Sequence, residues 1–515
     1  MALPLRIPSI LASTLAIAAF SGCGGDETTT STGAGGTTTT TAATGGAGGS
    51  GGSGGSGGAG GGALPQNYKP AGCAFEIAPR AEYLDWSVGQ TTTQPTPAIR
   101  RVRLGLGGNI TAGPGRADPA TSAGFAWQTD DGTLASEVTW GSSPDPATWP
   151  AANRTSGATW LTPQGLIQPN GDARMHEVHI CGLTPATTYY YRVGGGPAGG
   201  EVWSDVHSFT TTPPAGDTPV TIAINGDARG QNGGAWRLYQ RKLLSKGVTL
   251  QLFSGDAIDL ALDQGEWEEW LDLAERDDDG SLLTLGQVLN LQTNGNHDNR
   301  STLFHGNLVL PQDVKNNPTL AELFYSVDVG PVHVVVIDDS FFASTLVTDE
   351  DKATTTAWLA ADLAAANQNR ATVPWILTMH HRGPFSSSSH GEDKDVHRTR
   401  AAFMPLFDEH HVDMDIAGHD HNYERTKPLS GDPVTPTLHE SPKDGTVYLL
   451  CAGAGAPAYS PGTSDFTAIS KGYKTGGAIG VYAYLTATKT ELTLESHELR
   501  PDGTDPVFDT YTITK

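Results

Sequence analysis

The sequence predicts an α/β domain that follows a small all-β sandwich, and two observations support this prediction. Between about residues 118 and 213, short strand-like runs are separated by turns, which is typical of a β-sandwich. After Pro219, continuous apolar runs alternate with helical segments, which is typical of a sheet covered by helices. A chain of 515 residues is long enough to contain both domains.

The first 23 residues have the pattern of a secretory signal. Arg6 precedes an apolar run, residues 7 to 20, that is too short to span a membrane. The small residues before Cys23 resemble a bacterial lipobox, so we expect lipidation of Cys23 and export as an outer-membrane or cell-surface lipoprotein. The alternative is an ordinary cleaved signal with an incidental cysteine, and a secreted protein.

The next two segments separate this signal from the folded domains. Residues 24–63 consist almost entirely of Gly, Thr, Ser and Ala, which cannot bury enough apolar surface to fold and so predict a flexible linker. Residues 64–117 form a lead-in segment whose pattern indicates no particular fold. The sandwich is assigned to residues 118–213 and the α/β domain to residues 218–515.

The formal net charge of −24 argues against a nucleic-acid partner, because nucleic acids need a basic surface. We therefore expect contact with a membrane only through the N-terminal lipid anchor. The sequence does not indicate an oligomeric state.

Three cysteines follow Cys23, namely Cys73, Cys181 and Cys451. An oxidising compartment would allow Cys73 to pair with Cys181 and cross-link the first folded domain. The alternative is that all three are small buried apolar residues.

The predicted strands of both domains are short runs rich in apolar residues. In the sandwich they are Phe125–Gln128, Glu137–Trp140, Met175–Ile180, Thr188–Val193 and Trp203–Thr210. In the α/β domain they are Val220–Ile224, Val248–Phe253, Val288–Leu291, Val332–Ile337, Trp375–Met379 and Val412–Ile416. Helices are predicted at Trp236–Lys246, which Gly247 ends, and at Ala357–Ala366.

Polar residues follow five of the α/β strands, where ligands gather in open α/β sheets. They are Asp227, Asp256, the run Gly295-Asn296-His297-Asp298, the pair His380-His381, and the run Gly418-His419-Asp420-His421. Each alone is a common turn or surface feature. Together, these carboxylates and imidazoles would repel one another or be poorly solvated unless cations were bound among them. Their mixed donors suit Zn, Fe or Mn, and a bridging Asp would favour two metal ions.

The order of these motifs, ending in "GHDHNYER", resembles the calcineurin-like metallophosphoesterase superfamily and is similar to its purple acid phosphatases. The run "LTPATTYYYRVGGG" resembles the fibronectin type III-like domain that precedes their catalytic domain. The resemblance implies a four-layer β-sandwich flanked by helices and a dinuclear phosphatase that acts on small phosphate esters.

The resemblance also implies roles for individual residues. One metal ion would be held by Asp227 and His421, the other by Asn296, His381 and His419, with Asp256 between them. His381 is preferred to His380 because of its spacing from Trp375 and His390, and His380 would face the other side of the strand. His297 and His390 would orient the phosphate and help to protonate the leaving oxygen, unless they are merely solvated loop histidines.

The chain departs from the purple acid phosphatase pattern at two positions. Asp259 stands where that family has a metal-binding tyrosine; a carboxylate can fill the same position but gives no iron–tyrosinate colour. Arg229 stands where the family has Gly. Its guanidinium would either clamp the substrate phosphate or form an ion pair with the neighbouring acids.

The sequence therefore predicts metal-dependent hydrolysis of phosphate esters, most simply as an acid phosphatase-like monoesterase. Phosphodiesterase or nucleotidase activity on the same metal core is a close alternative. A catalytically silent surface-binding lipoprotein is a third, supported by the sandwich, the linker, Arg229 and Asp259.

Overall fold

The computed structural model describes residues 66–92, 98–162, 173–230, 234–313, 317–473 and 476–515. The predicted signal, Cys23 and the linker lie outside these residues. Within the described ranges, no helix combines the length and the apolar character needed to cross a membrane.

The N-terminal domain is a sandwich of two antiparallel sheets, as predicted. Its strands are β1 (Leu84–Val88), β2 (Arg100–Gly105), β3 (Ser122–Asp130), β4 (Glu137–Gly141), β5 (Arg154–Ser156), β6 (Ala158–Leu161), β7 (Ala173–Cys181), β8 (Thr188–Gly195), β9 (Val202–Trp203) and β10 (His207–Thr210). One sheet has the order β1-β6-β7-β3-β2, and the other has the order β10-β8-β4-β5, with β9 also paired to β8. The lead-in segment therefore contributes β1 and β2, the two edge strands of the first sheet.

Two details of the sandwich bear on the sequence predictions. The predicted strand Trp203–Thr210 is divided into β9 and β10, because the register with β8 shifts between Trp203, opposite Gly194, and His207, opposite Tyr191. Cys73 and Cys181 form a disulfide, as predicted, which joins the lead-in segment to the end of β7, and Cys451 is a buried free cysteine.

The C-terminal domain contains two large sheets covered by helices. Its strands are β11 (Val220–Asn225), β12 (Leu250–Phe253), β13 (Asn290–Gln292), β14 (Phe324–Val329), β15 (Val332–Ile337), β16 (Trp375–Arg382), β17 (Met414–Gly418), β18 (Tyr423–Thr426), β19 (Leu429–Gly431), β20 (Pro436–Leu438), β21 (Val447–Cys451), β22 (Thr467–Lys471), β23 (Gly480–Ala487), β24 (Glu491–Leu499) and β25 (Val507–Thr514). Its helices are α1 (Ala235–Lys246), α2 (Gln264–Glu275), α3 (Thr302–Asn307), α4 (Ser340–Ala343), α5 (Asp349–Gln368) and α6 (Lys394–His410).

The two sheets are mixed: the parallel strands lie on one side of the first sheet and in the middle of the second. One has the order β13-β12-β11-β23-β24-β25, in which β11, β12 and β13 are parallel. The other has the order β14-β15-β16-β17-β21-β18-β22, in which β15, β16, β17 and β21 are parallel. The parallel strands of each sheet end at the same edge, which is where an α/β sheet places its ligands. The predicted α/β class is confirmed.

Aromatic side chains attach the helices to the outer faces of the sheets. Trp236 of α1 stacks on Trp270 of α2 at a centroid distance of 5.2 Å, and both rings contact Phe253 of β12. On the other sheet, Phe403 of α6 packs at 4.7 Å against His380 of β16. These rings are almost completely buried, so they fix the two layers of helices by apolar contact.

A buried histidine far from the predicted site makes a pH-dependent contribution to folding. His333 of β15 contacts the carboxylates of Asp328 on β14 at 2.6 Å and Asp362 on α5 at 3.0 Å. Although burial opposes protonation, these two carboxylates raise the pKa of His333 from 6.5 to about 9. The folded protein therefore holds this proton more tightly than the unfolded chain does.

We expect this pair of contacts to stabilise the fold fully below pH 6.5 and to lose its effect as the pH rises through about 9. The contribution amounts to roughly 3 kcal/mol at most. Urea unfolding between pH 6 and pH 10 should show a steeper fall in the free energy of unfolding for the unmodified protein than for His333→Gln. The exposed His397→Gln is the control, and parallel pH profiles for all three proteins would contradict this assignment.

Candidate metal centre

The predicted site residues meet where the parallel strands of both sheets end. They follow β11, β12 and β13 of one sheet, and they end or follow β16 and β17 of the other: Asp227, Asp256, Asn296, His381, His419 and His421. Ligand atoms of Asp227, Asp256 and His381 all lie within 4.8 Å of one another, and the three side chains are buried. The sheets therefore bring together residues that are separated by up to 154 positions in the sequence.

Three of these residues have a strained backbone. Asp227, Asp256 and His419 have φ values of 59°, 55° and 75°, in the left-handed region that residues with a side chain seldom adopt. Such strain persists only where the surrounding structure holds it, and it is concentrated at functional sites. Each strained residue comes directly after a glycine at a strand end, where the chain turns sharply.

Two glycines leave the space that the carboxylates occupy. A Cβ atom on Gly418 would lie 2.3 Å from Asp227 Oδ2, and one on Gly295 would lie 2.2 Å from Asp256 Oδ1. Both distances are far inside van der Waals contact. The Gly-His and Gly-Asn pairs of the sequence motifs are therefore required by the packing of the two aspartates.

Hydrogen bonds to backbone carbonyls orient two of the histidines. His381 Nδ1 donates to the carbonyl of Ser254 at 2.8 Å, so Nε2 faces Asn296 Oδ1 at 2.9 Å and Asp256 Oδ1 at 3.3 Å. His421 Nδ1 donates to the carbonyl of Pro457 at 2.7 Å, and its Nε2 lies 3.5 Å from Asp227 Oδ1. Fixing one ring nitrogen in this way leaves the other free to bind a metal ion.

The charges of the cluster are mutually dependent. Burial opposes the ionisation of Asp256, but the positive charges of His381 and His297 hold the pKa of Asp256 well below its usual range. Burial likewise opposes protonation of His381, yet Asp256 raises the pKa of His381 to about 10. A proton on His381 thus compensates the carboxylates, and a divalent cation among the same donors would release it. The oxygen and imidazole donors fit a borderline metal ion.

Asp298 supports the two loops that carry Asp256 and Asn296. Its buried carboxylate accepts hydrogen bonds from the backbone N–H groups of Gly295 at 2.8 Å, Asp256 at 2.9 Å and Ala257 at 3.0 Å. Burial and the charge of Asp256 raise its pKa to about 7. Asp298 belongs to the Gly295-Asn296-His297-Asp298 motif, but the sequence pattern predicts no function for it.

His297 and His390 lie at the open side of the cluster, with about a third of each side chain exposed. His297 donates its backbone N–H to Asp256 Oδ1 at 2.8 Å and its Nδ1–H to the carbonyl of Asp259 at 2.7 Å. His390 Nδ1 contacts Asp393 Oδ2 at 2.8 Å, and its ring lies 4.5 Å from that of His419. Both rings are thus held through Nδ1, which leaves Nε2 for a substrate.

Arg229 and Asp259, the two departures from the family pattern, contact each other. Arg229 Nη1 donates to Asp259 Oδ1 at 2.6 Å, while the half-exposed Asp259 is absent from the group of carboxylates around His381. The ion pair predicted as one role of Arg229 is therefore present. The roles of Asp259 as a metal ligand and of Arg229 as a phosphate clamp stay predictions.

Two further side chains lie near the cluster: His380, whose role the sequence predicted, and Tyr459, which it did not indicate. His380 points away from the cluster and lies between Asp339 at 3.2 Å and Asp415 at 3.0 Å, in agreement with its predicted structural role. Tyr459 stacks on His421 at a centroid distance of 4.1 Å, and no motif indicated it. A tyrosine in a Pro/Ser-rich loop has no local signal that links it to a histidine 38 residues earlier.

The comparisons with known proteins agree with this geometry. Residues 112–211 match the model of the purple acid phosphatase N-terminal domain, and residues 202–423 match that of the calcineurin-like phosphoesterases. Among solved structures, purple acid phosphatase PPD1 from yellow lupin (Lupinus luteus) seeds covers 81% of this chain and 74% of its own, with a TM-score of 0.60 at 18% identity. That likeness shows a shared fold.

Three relatives show the extent of the sequence similarity. An uncharacterized protein of Mycobacterium tuberculosis is 26% identical over 332 residues, which is 56% of this chain and 59% of that protein. Purple acid phosphatase 18 of Arabidopsis thaliana is 26% identical over 62% of this chain and 67% of its own. Acid phosphatase type 7 of Homo sapiens is 25% identical over 58% of this chain and 70% of its own. The chain thus spans less than two thirds of the mycobacterial relative.

The two matched domains, the shared fold and the relatives lead to one assignment: the chain belongs to the calcineurin-like metallophosphoesterase superfamily and carries the purple acid phosphatase N-terminal domain.

Proposed function

We propose that this protein is a metal-dependent hydrolase of small phosphate esters, acting as a phosphomonoesterase. The observation that carries the proposal is the convergence of Asp227, Asp256 and His381, whose buried ligand atoms lie within 4.8 Å at the edge where the parallel strands end. Membership of the metallophosphoesterase superfamily supports the same reaction class.

The residues divide into two proposed metal positions. The His421 position comprises Asp227, His421 and Asp256, with Asp259 as a further carboxylate nearby. The His381 position comprises Asn296, His381, His419 and the same Asp256. The two oxygens of Asp256 support a bridging role, because Oδ1 faces His381 and Oδ2 faces Arg229. When bound, two such ions neutralise phosphate charge and lower the pKa of water.

The remaining polar residues would act on the substrate directly. His297 and His390 are held through Nδ1, so each could bind a phosphate oxygen through Nε2. His390 could also transfer a proton to the leaving oxygen, because the contact of its Nδ1 with Asp393 fixes the orientation of the ring. Fixed donors of this kind speed the reaction by positioning the ester and by stabilising charge on it.

The proposal is tested by metal content and by hydrolysis of p-nitrophenyl phosphate and bis-p-nitrophenyl phosphate. We expect up to two bound metal ions in the purified protein and faster turnover of the monoester, and His381→Ala should lose turnover and at least one of the ions. His397→Ala, which alters an exposed histidine on α6, is the matched control. Preference for the diester would favour the phosphodiesterase alternative. Neither metal nor turnover would favour the silent surface-binding protein.

The metals we propose are Fe, Zn or Mn, without an iron–tyrosinate bond. Asp259 stands where the tyrosine would be, and Tyr459, the tyrosine that stacks on His421, has its hydroxyl 3.5 Å from Arg229. We therefore expect a colourless protein at full metal occupancy. Its visible spectrum after loading with iron is the measurement, and a strong charge-transfer band would contradict the expectation.

We also propose export, with a lipid anchor on Cys23. The Cys73–Cys181 disulfide supports an oxidising compartment. Cells fed an alkyne-labelled fatty acid should incorporate it into the unmodified protein and not into Cys23→Ser. Equal labelling of both, or of neither, would contradict the anchor.

A further inference from the structure

Arg229 lies among the donors of the His421 position. Its Nη2 is 3.4 Å from His421 Nε2, and its Nε is 3.6 Å from Asp256 Oδ2. Both of these atoms are expected to bind the same metal ion. The guanidinium therefore faces the donors that would bind a metal ion at this position.

The contacts that hold Arg229 are few and mostly electrostatic. Its one short hydrogen bond is that from Nη1 to Asp259, and Nη2 lies 3.5 Å from the hydroxyl of Tyr459. Nε is a buried donor with no hydrogen-bond partner among the described residues. The side chain thus stays in place chiefly through the charges of Asp259 and Asp256, which a metal ion would also attract.

The His381 position has different surroundings. His381 Nε2 faces Asn296 Oδ1 and Asp256 Oδ1, whereas Arg229 contacts the other carboxylate oxygen of Asp256, Oδ2. The carbonyl of Ser254 holds the ring in its orientation. A cation at this position would find its donors oriented and would have no arginine to displace.

We propose that Arg229 gives the two positions different affinities for a metal ion. Its positive charge lies at the His421 position, so the side chain must move away before a second metal ion binds there. This inference rests on the proposed metal centre. An ion bound at about 2 Å from His421 Nε2 would lie within about 6 Å of the guanidinium, close enough for strong repulsion. The His381 position fills first, and the His421 position fills weakly.

Asp259 has a specific part in this arrangement. Its carboxylate neutralises Arg229 and anchors it beside His421. Once Arg229 has moved, the same carboxylate is available to the incoming ion. The Arg229–Asp259 pair replaces the Gly and Tyr of the purple acid phosphatase pattern, so the two departures in the sequence are one coupled change.

The test is titration of the metal-free full-length protein with Mn²⁺, followed by calorimetry and by electron paramagnetic resonance. The unmodified protein should bind one ion tightly and a second at least about tenfold more weakly, with the signal of an isolated Mn²⁺ after the first equivalent. Arg229→Gln should bind the second ion at least about tenfold more tightly, and a spin-coupled pair should appear near two equivalents. Arg229→Lys keeps the charge and should behave like the unmodified protein.

Two controls separate this inference from the proposed function. His381→Ala should lose the tight ion, which identifies the position that fills first. Arg237→Gln removes another arginine that is paired with an aspartate, Asp278 on the protein surface, and should leave both affinities unchanged. Two equally tight ions in the unmodified protein, or no gain in Arg229→Gln, would overturn the inference alone. If none of the proteins binds Mn²⁺, Zn²⁺ or iron, the proposed function fails as well.

Discussion

Asp256→Asn is expected to lower kcat for p-nitrophenyl phosphate by at least about a thousandfold and to remove at least one bound metal ion. Asp256 is the residue whose two carboxylate oxygens face the two proposed metal positions. An amide removes the negative charge and replaces one of these oxygens with an NH₂ group that cannot bind a metal ion. Metal content and kcat, measured on the same preparation, check this expectation.

A second aspartate provides the control for this change. Asp263 is also buried, but its carboxylate caps the N-terminus of α2 by accepting hydrogen bonds from Gly265 and Glu266. Asparagine is an equally good cap, so Asp263→Asn should keep its metal ions, its turnover and its stability. An Asp256→Asn protein with two bound ions and more than a tenth of the normal turnover would show that the bridging assignment is wrong.

His390→Gln is expected to lower kcat by about a hundredfold or more while leaving the metal content unchanged. His390 contacts Asp393 through Nδ1, which leaves its Nε2 for a substrate. If His390 protonates the leaving oxygen, the loss should be much larger for an alkyl phosphate than for p-nitrophenyl phosphate. The alkoxide is a poor leaving group and needs the proton, whereas p-nitrophenolate does not.

Asp393→Asn provides a graded test of the same role. It keeps His390 but replaces the carboxylate that contacts Nδ1 with a neutral amide, so we expect a smaller loss of about tenfold, again greater for the alkyl ester. His397→Gln on the neighbouring helix is the control. Equal losses for both substrates in His390→Gln would assign His390 to phosphate orientation alone.

The sequence predicted buried strands more accurately than it predicted the start of a helix. The predicted strand Val332–Ile337 matches β15 residue for residue, because a strand buried on both faces is apolar at nearly every position, here at all but His333. Helix α5 begins at Asp349, eight residues before the predicted start at Ala357, because its first turns are polar. The start of α5 depends on capping by Thr348, whose side chain accepts a hydrogen bond from the N–H of Asp351.

The site residues that belong to sequence motifs could be predicted, whereas contacts between distant segments of the chain could not. Gly418 and Gly295 were recognised as parts of motifs, but their spatial reason, the aspartates beside them, needs the fold. Tyr459 reaches His421 from a separate loop, and Arg229 meets Asp259 across the ends of two strands. No pattern within one segment contains such pairs, because the contact depends on how the sheets are assembled.

The disulfide between Cys73 and Cys181 also determines how the protein would bear a mechanical load. Tension applied to the chain before Cys73 would pass through the sulfur atoms to Cys181, the last residue of β7, and on along the chain toward β8. β1 and β2 lie within the loop that the disulfide closes, which spans 108 positions of the sequence. They would therefore bear no tension, whereas an edge strand under tension separates from its sheet by losing one hydrogen bond after another. Single-molecule stretching under reducing conditions should show early extension as these strands detach, and the oxidised domain should not. For a chain pulled from its N-terminus, as an anchored one would be, this cross-link shields strands β1 to β7 from the load.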